Sequence, residues 1–294
     1  MTPAGSAGGD GRFDRNIGIL THEQQQLLSA ASVAIAGLGG VGGITAERLV
    51  RLGVGTVHIT DPETFEVQNL NRQAFSSNAT LGERKCEVFE RELREINPDL
   101  VIHSWPEGVT EENAVEFCEA DVVLDCVEYT LPRFSVHLHD AARAHGRPVV
   151  AVQAIGFGST VMVFSPSGPT FRQWLGYPET ADAGSIDVAP EKFCPTVPAY
   201  ITMETVAAVL AGEMSIPSTS VGVSTASSLA SMATLALLLG LGEPPMVPDY
   251  LAFDPFSLLG TEQTQPRFER VRQASVPASE GGDVGAVVLE EQDT

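Results

Sequence analysis

Between Val33 and Gly42 the chain reads Val33-Ala-Ile-Ala-Gly37-Leu-Gly39-Gly40-Val-Gly42. An apolar strand that runs into a glycine-rich turn and then a helix leaves bare backbone N–H groups at a helix N-terminus, where phosphate oxygens can come close. Taken alone, this pattern says only that a nucleotide binds; a single Gly-x-Gly-x-x-Gly serves NAD or FAD equally well. The next fifty residues narrow the reading. Asp61-Pro-Glu63 closes the following strand, Asn69-Leu-Asn71-Arg72-Gln73 comes after it, and Arg84-Lys85 after that. An acidic pair with an Asn/Arg/Lys series supplies what a ribose, a triphosphate and a divalent metal need. A nicotinamide site needs no such cationic series.

The surrounding pattern predicts an α/β fold, a Rossmann-like, doubly wound and mainly parallel sheet. Strands are expected at 32–36, 56–60, 100–103, 122–126 and 149–153. Helices are expected at 21–29, with Thr21 as N-cap, and at 42–52, 81–97 and 133–145. Asn97-Pro98 should end the third of these. From Ala154 to Ser165 the run Phe157-Gly-Ser-Thr-Val-Met-Val-Phe predicts a C-terminal antiparallel extension of the sheet. Residues 174–200 read as a long loop, 203–214 and 221–240 as helices, and 250–253 as a late strand. One domain is expected over residues 12–272, with a nucleotide-binding half at about 30–153 and a substrate or dimer half at about 154–260. Residues 1–11 read as a flexible leader and not a signal peptide. Residues 273–294, with five acids and no base beyond Ser275, read as a disordered tail.

A formal charge of −21 over 294 residues argues against nucleic acid, since each phosphate contact needs a Lys or Arg. The same charge disfavours an acidic membrane surface. Residues 221–240 carry no charge over a bilayer-spanning length, yet their many Ser, Thr and Gly suit a helix packed inside a core or at a dimer interface. Only two lysines occur, Lys85 and Lys192, against fifteen arginines. One of the two falls in the cationic series. The four cysteines form no Cys-x-x-Cys pair, so no zinc site is expected. The chain reads as cytoplasmic, where disulfides do not persist.

At these residues the chain resembles the ThiF/MoeB/ubiquitin-activating (E1-like) family of ATP-dependent adenylyltransferases, over roughly residues 12–255. The resemblance implies transfer of AMP onto a carboxylate with release of pyrophosphate. It matches Gly37, Gly39, Gly40 and Gly42 to the family's nucleotide loop, and Asp61 with Glu63 to its acidic pair, one of which would take the ribose. Asn69, Arg72 and Gln73 match a second ATP-binding element, and Lys85 the lysine that holds phosphate. Arg15 matches an arginine that reaches into the neighbouring subunit's site, which implies a homodimer. After the strand that ends at Cys126 the family places a magnesium-binding Asp and an Asn. Here the chain has Glu128 and Tyr129, so Glu128, with Asp125 beside it, is the expected magnesium ligand.

Two further readings stay open. Cys194 lies where members that pass their substrate to sulfur carry a cysteine; Lys192 would favour a thiolate there, Glu191 would oppose it, and Pro195 and Pro198 suggest a structural anchor instead. Cys86, Cys118 and Cys126 read as buried small apolar residues. The carboxylate substrate is expected to be a peptide, a small acid or the C-terminus of a ubiquitin-like carrier, with a specialised biosynthetic role favoured. The alternatives are an NAD-dependent Rossmann oxidoreductase and a non-catalytic scaffold of the same fold.

Overall fold

The computed structural model describes residues 11–189, 192, 194, 197–258 and 269–272. Eight strands form one sheet in the order β3-β2-β1-β4-β5-β6-β7-β8. The first five, β1 (Ser32–Ala36), β2 (Thr56–Thr60), β3 (Val101–Trp105), β4 (Val122–Asp125) and β5 (Val149–Ile155), run parallel. The last three, β6 (Gly158–Phe164), β7 (Asp249–Phe253) and β8 (Glu269–Arg272), are antiparallel additions. The predicted parallel sheet with an antiparallel extension is therefore present, and β6 falls within the expected Gly-rich run.

Strand β1 is short, but both its faces are apolar, and from Val33 onward every residue is buried. Val33 and Ile35 point into one core with α2 (Gly40–Leu52), α3 (Lys85–Ile96) and α8 (Ser220–Leu239). Ala34 and Ala36 point into the other, with α4 (Ala114–Phe117), α5 (Pro132–Ala144) and α6 (Phe171–Leu175). Two covered faces are what a parallel sheet requires. Strand order reverses between β1 and β4, so the crevice beyond their carboxyl ends is the place where such sheets bind ligands.

Local signals explain most boundaries. Helix α1 (His22–Ala30) begins at the predicted Thr21 cap, which forms a full capping box with Gln24. Helix α3 starts at Lys85, four residues later than expected. Residues 81–84 are held back because Phe65 N–H donates to Glu83 O, Gly82 N–H donates to Phe65 O, and Thr64 bridges Arg84. Helix α2 starts two residues early, at Gly40, so the glycines themselves form its first turn. The expected loop at 174–200 is also revised: Trp174 belongs to α6, and Ala183–Ser185 makes a 3₁₀ turn.

Helix α8 is long and apolar enough to cross a membrane by composition, but its small residues pack along α2 and across β5 and β6. Ser227 Oγ donates to Val223 O at 2.7 Å and lies 2.9 Å from Val41 O on α2. A Cβ at Gly222 would stand 2.1 Å from Gly156 O, so that glycine lets the helix lie against the β5–β6 turn. Helix α7 (Met203–Leu210) is shorter than expected and has no buried residue. The N-terminal leader to residue 10 and the tail from residue 273 lie outside the described residues.

Candidate active site

The β1–α2 turn is built from two glycines that admit nothing larger. Gly37 has φ 91°, and a Cβ there would stand 2.7 Å from Cys126 O, just past β4. At Gly42 a Cβ would stand 1.9 Å from Gly37 O, so the first turn of α2 closes directly on the loop. Gly40 makes room for Val223 of α8. Gly39 differs: the nearest atom to a Cβ there is Gln73 Nε2 at 3.9 Å. As N-cap of α2 it offers no side-chain acceptor, so the first N–H groups of the helix, at the positive end of its dipole, have no side-chain cap.

Asp61, one of the acidic pair expected to take the ribose, is bonded to the glycine turn itself. It is 5% exposed, with Oδ2 accepting Leu38 N–H at 2.8 Å and Oδ1 accepting Glu63 N–H at 2.9 Å. Its carboxylate braces the glycine turn. Burial pushes its pKa above the usual carboxylate range, against the opposing pull of Lys85 and of its two backbone donors. Glu63 is the acid that faces solvent.

Lys85 is 1% exposed, with Nζ 2.6 Å from Glu63 Oε2 and 3.5 Å from Asp61 Oδ2. A lysine at the first turn of a helix opposes the dipole. The acid pair accounts for it here without a bound anion.

The 69–73 element divides in the same way. Asn69 is buried and its Oδ1 accepts Glu66 N–H at 2.8 Å, closing a capping box across residues 66–69. The string thus has a capping role that the sequence did not suggest. Arg72 stands at the N-terminus of α2, its Cγ 3.5 Å from the Cβ position of Gly40. Its Nη1 donates to Gln68 O and Asn71 Oδ1, both at 2.9 Å. Asn71 in turn donates to Ser218 O at 3.0 Å, tying this element to the segment before α8. Gln73 is buried beside Gly39, with an Oε1 that has no partner.

Asp125, expected beside Glu128 at the metal, is bonded within its own turn and to α5. It is 3% exposed. Its Oδ1 accepts Val127 N–H at 3.1 Å, and its Oδ2 lies 3.1 Å from His139 Nε2. Glu128, three residues on, is exposed. Burial raises the phenol pKa of Tyr129, and the charges of Glu128 and Cys194 act in the same direction. His139, within α5, was not singled out by any sequence pattern.

Arg15 is exposed and sits at the opposite end of α2. Its 3₁₀ turn (Asp14–Asn16) packs there through Phe13 against Gly53 and through Asn16 Nδ2, 3.3 Å from Leu52 O. At 1.5 Å per residue, α2 holds it about 20 Å from its own glycine turn.

The cysteines are set by burial. The Cys86 thiol is pushed up to about 11 and that of Cys118 to about 12, and Cys126 is raised as well. Burial also raises Cys194, opposite to what a nucleophile needs. Lys192, expected to favour a thiolate, donates to Trp174 O at 2.8 Å and lies over that ring. Glu191, Phe193 and Pro195 lie outside the described residues. Iodoacetamide at pH 8 is expected to modify half-buried Cys194 before Cys86 and Cys118, which should react only after denaturation. Peptide mass mapping reads this out, and early labelling of Cys86 or Cys118 would contradict the burial described.

A glycine turn at the strand-order reversal, braced by an aspartate and followed by an arginine, matches a known sequence family across most of the chain. The ThiF family matches residues 13–273. This chain belongs to the ThiF family. Similar relatives of the ThiF-family chain include a sulfur carrier protein adenylyltransferase from Thermus thermophilus, 32% identical over 182 residues, covering 57% of this chain and 66% of that one. The sulfur carrier protein ThiS adenylyltransferase of Escherichia coli is 32% identical over 158 residues, 53% of this chain and 62% of that one. The adenylyltransferase and sulfurtransferase UBA4 of Candida glabrata is 34% identical over 151 residues, 50% of this chain. This chain spans only 34% of UBA4.

Solved structures share the fold across more of the chain. Escherichia coli MccB with ATP superposes with TM-score 0.64 at 15% identity, over 91% of this chain and 72% of that one. The Escherichia coli tRNA threonylcarbamoyladenosine dehydratase TcdA, in complex with AMP, does so with TM-score 0.60 at 21% identity, over 78% and 94%.

Proposed function

We propose that this ThiF-family chain is an ATP-dependent adenylyltransferase that activates a carboxylate as its acyl-AMP and releases pyrophosphate. The observation that carries the reading is the uncapped N-terminus of α2 with Arg72 beside it. The names of its relatives, adenylyltransferases of sulfur carriers, support the same activity. Phosphates would lie over Gly39 and Gly40, with Glu63 facing the ribose and the Gln73 Nε2 amide group beside Gly39. Arg72 would neutralise the charge that grows on the phosphates as the bond from the α-phosphorus to the leaving pyrophosphate breaks. Lys85 reaches phosphate in this account by exchanging its contact with exposed Glu63. The substrate carboxylate attacks the α-phosphorus in line, and the protein's work is positioning and charge neutralisation.

Glu128 suits magnesium, which takes one or two carboxylates and completes its shell with phosphate oxygens and water. When bound, the ion would offset phosphate charge and orient the leaving group. Arg15, held away from its own chain's turn, is assigned to the site of a second copy in a homodimer. The acceptor is a peptide, a small acid or a ubiquitin-like C-terminus, and the protein is placed in the cytoplasm.

Calorimetric titration tests the nucleotide directly. ATP with magnesium is expected to bind at one site per chain, and NADH is not. Binding of NADH in place of ATP would return the oxidoreductase reading.

A further inference from the structure

We propose that His139 is a positioning residue that holds the Cys126–Tyr129 turn against the glycine loop. This rests on the nucleotide reading of that loop. Cys126 N–H donates to Ala36 O at 2.9 Å, and its carbonyl oxygen lies 2.7 Å from where a Cβ on Gly37 would be. The turn is therefore one wall of the crevice, and it carries the exposed Glu128. Its conformation depends on Asp125, whose Oδ1 accepts Val127 N–H at 3.1 Å. The other carboxylate oxygen is buried and lies 3.1 Å from His139 Nε2. A buried carboxylate oxygen without a donor is costly, so His139 supplies the donor with which Asp125 stays in place and keeps its hold on Val127.

The imidazole is itself immobilised. It stacks on Phe171 with centroids 4.3 Å apart and planes at 23°, and meets Phe164 edge-on at 4.6 Å. One helical position on, Asp140 pairs with Arg172 of α6. Arg172 Nε also donates to Ala181 O at 3.1 Å, on the segment that leads towards Cys194 beside Tyr129. His139 thus sits on a helix braced by α6, with its ring fixed and its Nε2 on the aspartate that holds the turn bearing Glu128. An outer residue of this kind orients a ligand without touching it.

His139→Phe keeps an aromatic ring in the box and removes the donor; His139→Gln restores an amide N–H near the place of Nε2. Hydrogen exchange at Val127, read by NMR on the full chain, should speed up in His139→Phe and return towards wild type in His139→Gln. In ATP titrations the magnesium concentration needed for half-maximal binding should rise about tenfold in His139→Phe and recover in His139→Gln, in line with the cost of losing an outer-shell partner. If His139→Phe does not fold, His139→Asn takes its place, since its shorter amide stops short of Asp125 and should behave as the donor-less form. Wild-type exchange at Val127 in a folded donor-less variant would overturn the proposal. So would equal effects in the donor-less and glutamine variants. Failure of wild-type protein to bind ATP would sink the nucleotide reading, while the exchange measurement would still decide the link from His139 to Val127.

Discussion

Arg72→Ala is expected to leave the protein folded and to lower adenylation by about 10²–10³-fold, the usual cost of losing one preorganised charge-stabilising donor. Arg72 is only partly buried, and it donates to Gln68 O and Asn71 Oδ1 in its own turn. Its loss therefore leaves no buried charge unpaired, and a large change in melting temperature is not expected. Its guanidinium belongs to a residue that stands at the open end of α2, where phosphate charge would develop. Because that charge grows as the bond to pyrophosphate breaks, the loss should fall mainly on kcat, with a smaller rise in KM for ATP. Arg72→Lys should recover only part of the rate, since an ammonium cannot reproduce the planar fork of a guanidinium. Steady-state kinetics with thermal melting checks this, and an unchanged kcat would remove Arg72 from the site.

Gly42→Ala is expected to have the larger effect on stability. The added methyl would stand 1.9 Å from Gly37 O and 3.0 Å from Cys126 Cβ, and the first contact is backbone that cannot rotate away. Overpacking a core costs about 1–3 kcal/mol and more where nothing yields, so about 3 kcal/mol is expected here. For a domain of this size that is a fall of roughly 6–12 °C in Tm. Relief would come by opening the turn, so nucleotide binding should weaken even in the surviving folded fraction. Gly39→Ala is the matched control: its nearest neighbour would be Gln73 Nε2 at 3.9 Å, so it should keep the wild-type Tm. Equal melting of the two variants would contradict the packing described.

The sheet was readable because its signals are local. Val33 to Ala36 is apolar on both faces, Thr21 and Gln24 form a capping box within four residues, and the pattern at 157–164 announces an added strand. The site was readable in position but less so in role. Asp61, Asn69 and Asp125 have the residue types of ligands, yet each is bonded to backbone N–H groups, and Asp125 also pairs with His139, fourteen residues away in sequence. Nothing in the neighbourhood of Lys85 showed that its ammonium would be buried between Asp61 and Glu63, because that pairing spans more than twenty residues. His139 gave no signal, since a histidine on a helix face is set apart only by what the fold brings to it. The late start of α3 has the same origin, in bonds between the 63–65 and 82–85 segments.

ATP–pyrophosphate exchange tests the central claim most directly. Labelled pyrophosphate is supplied with ATP, magnesium and a panel of sulfur-carrier proteins, peptides and small acids, with Arg72→Ala as control. Label is expected to enter ATP only when one class of carboxylate is present, and little or none with the variant. Exchange that proceeds equally well in Arg72→Ala, or wild-type protein that binds no ATP at all, would contradict it.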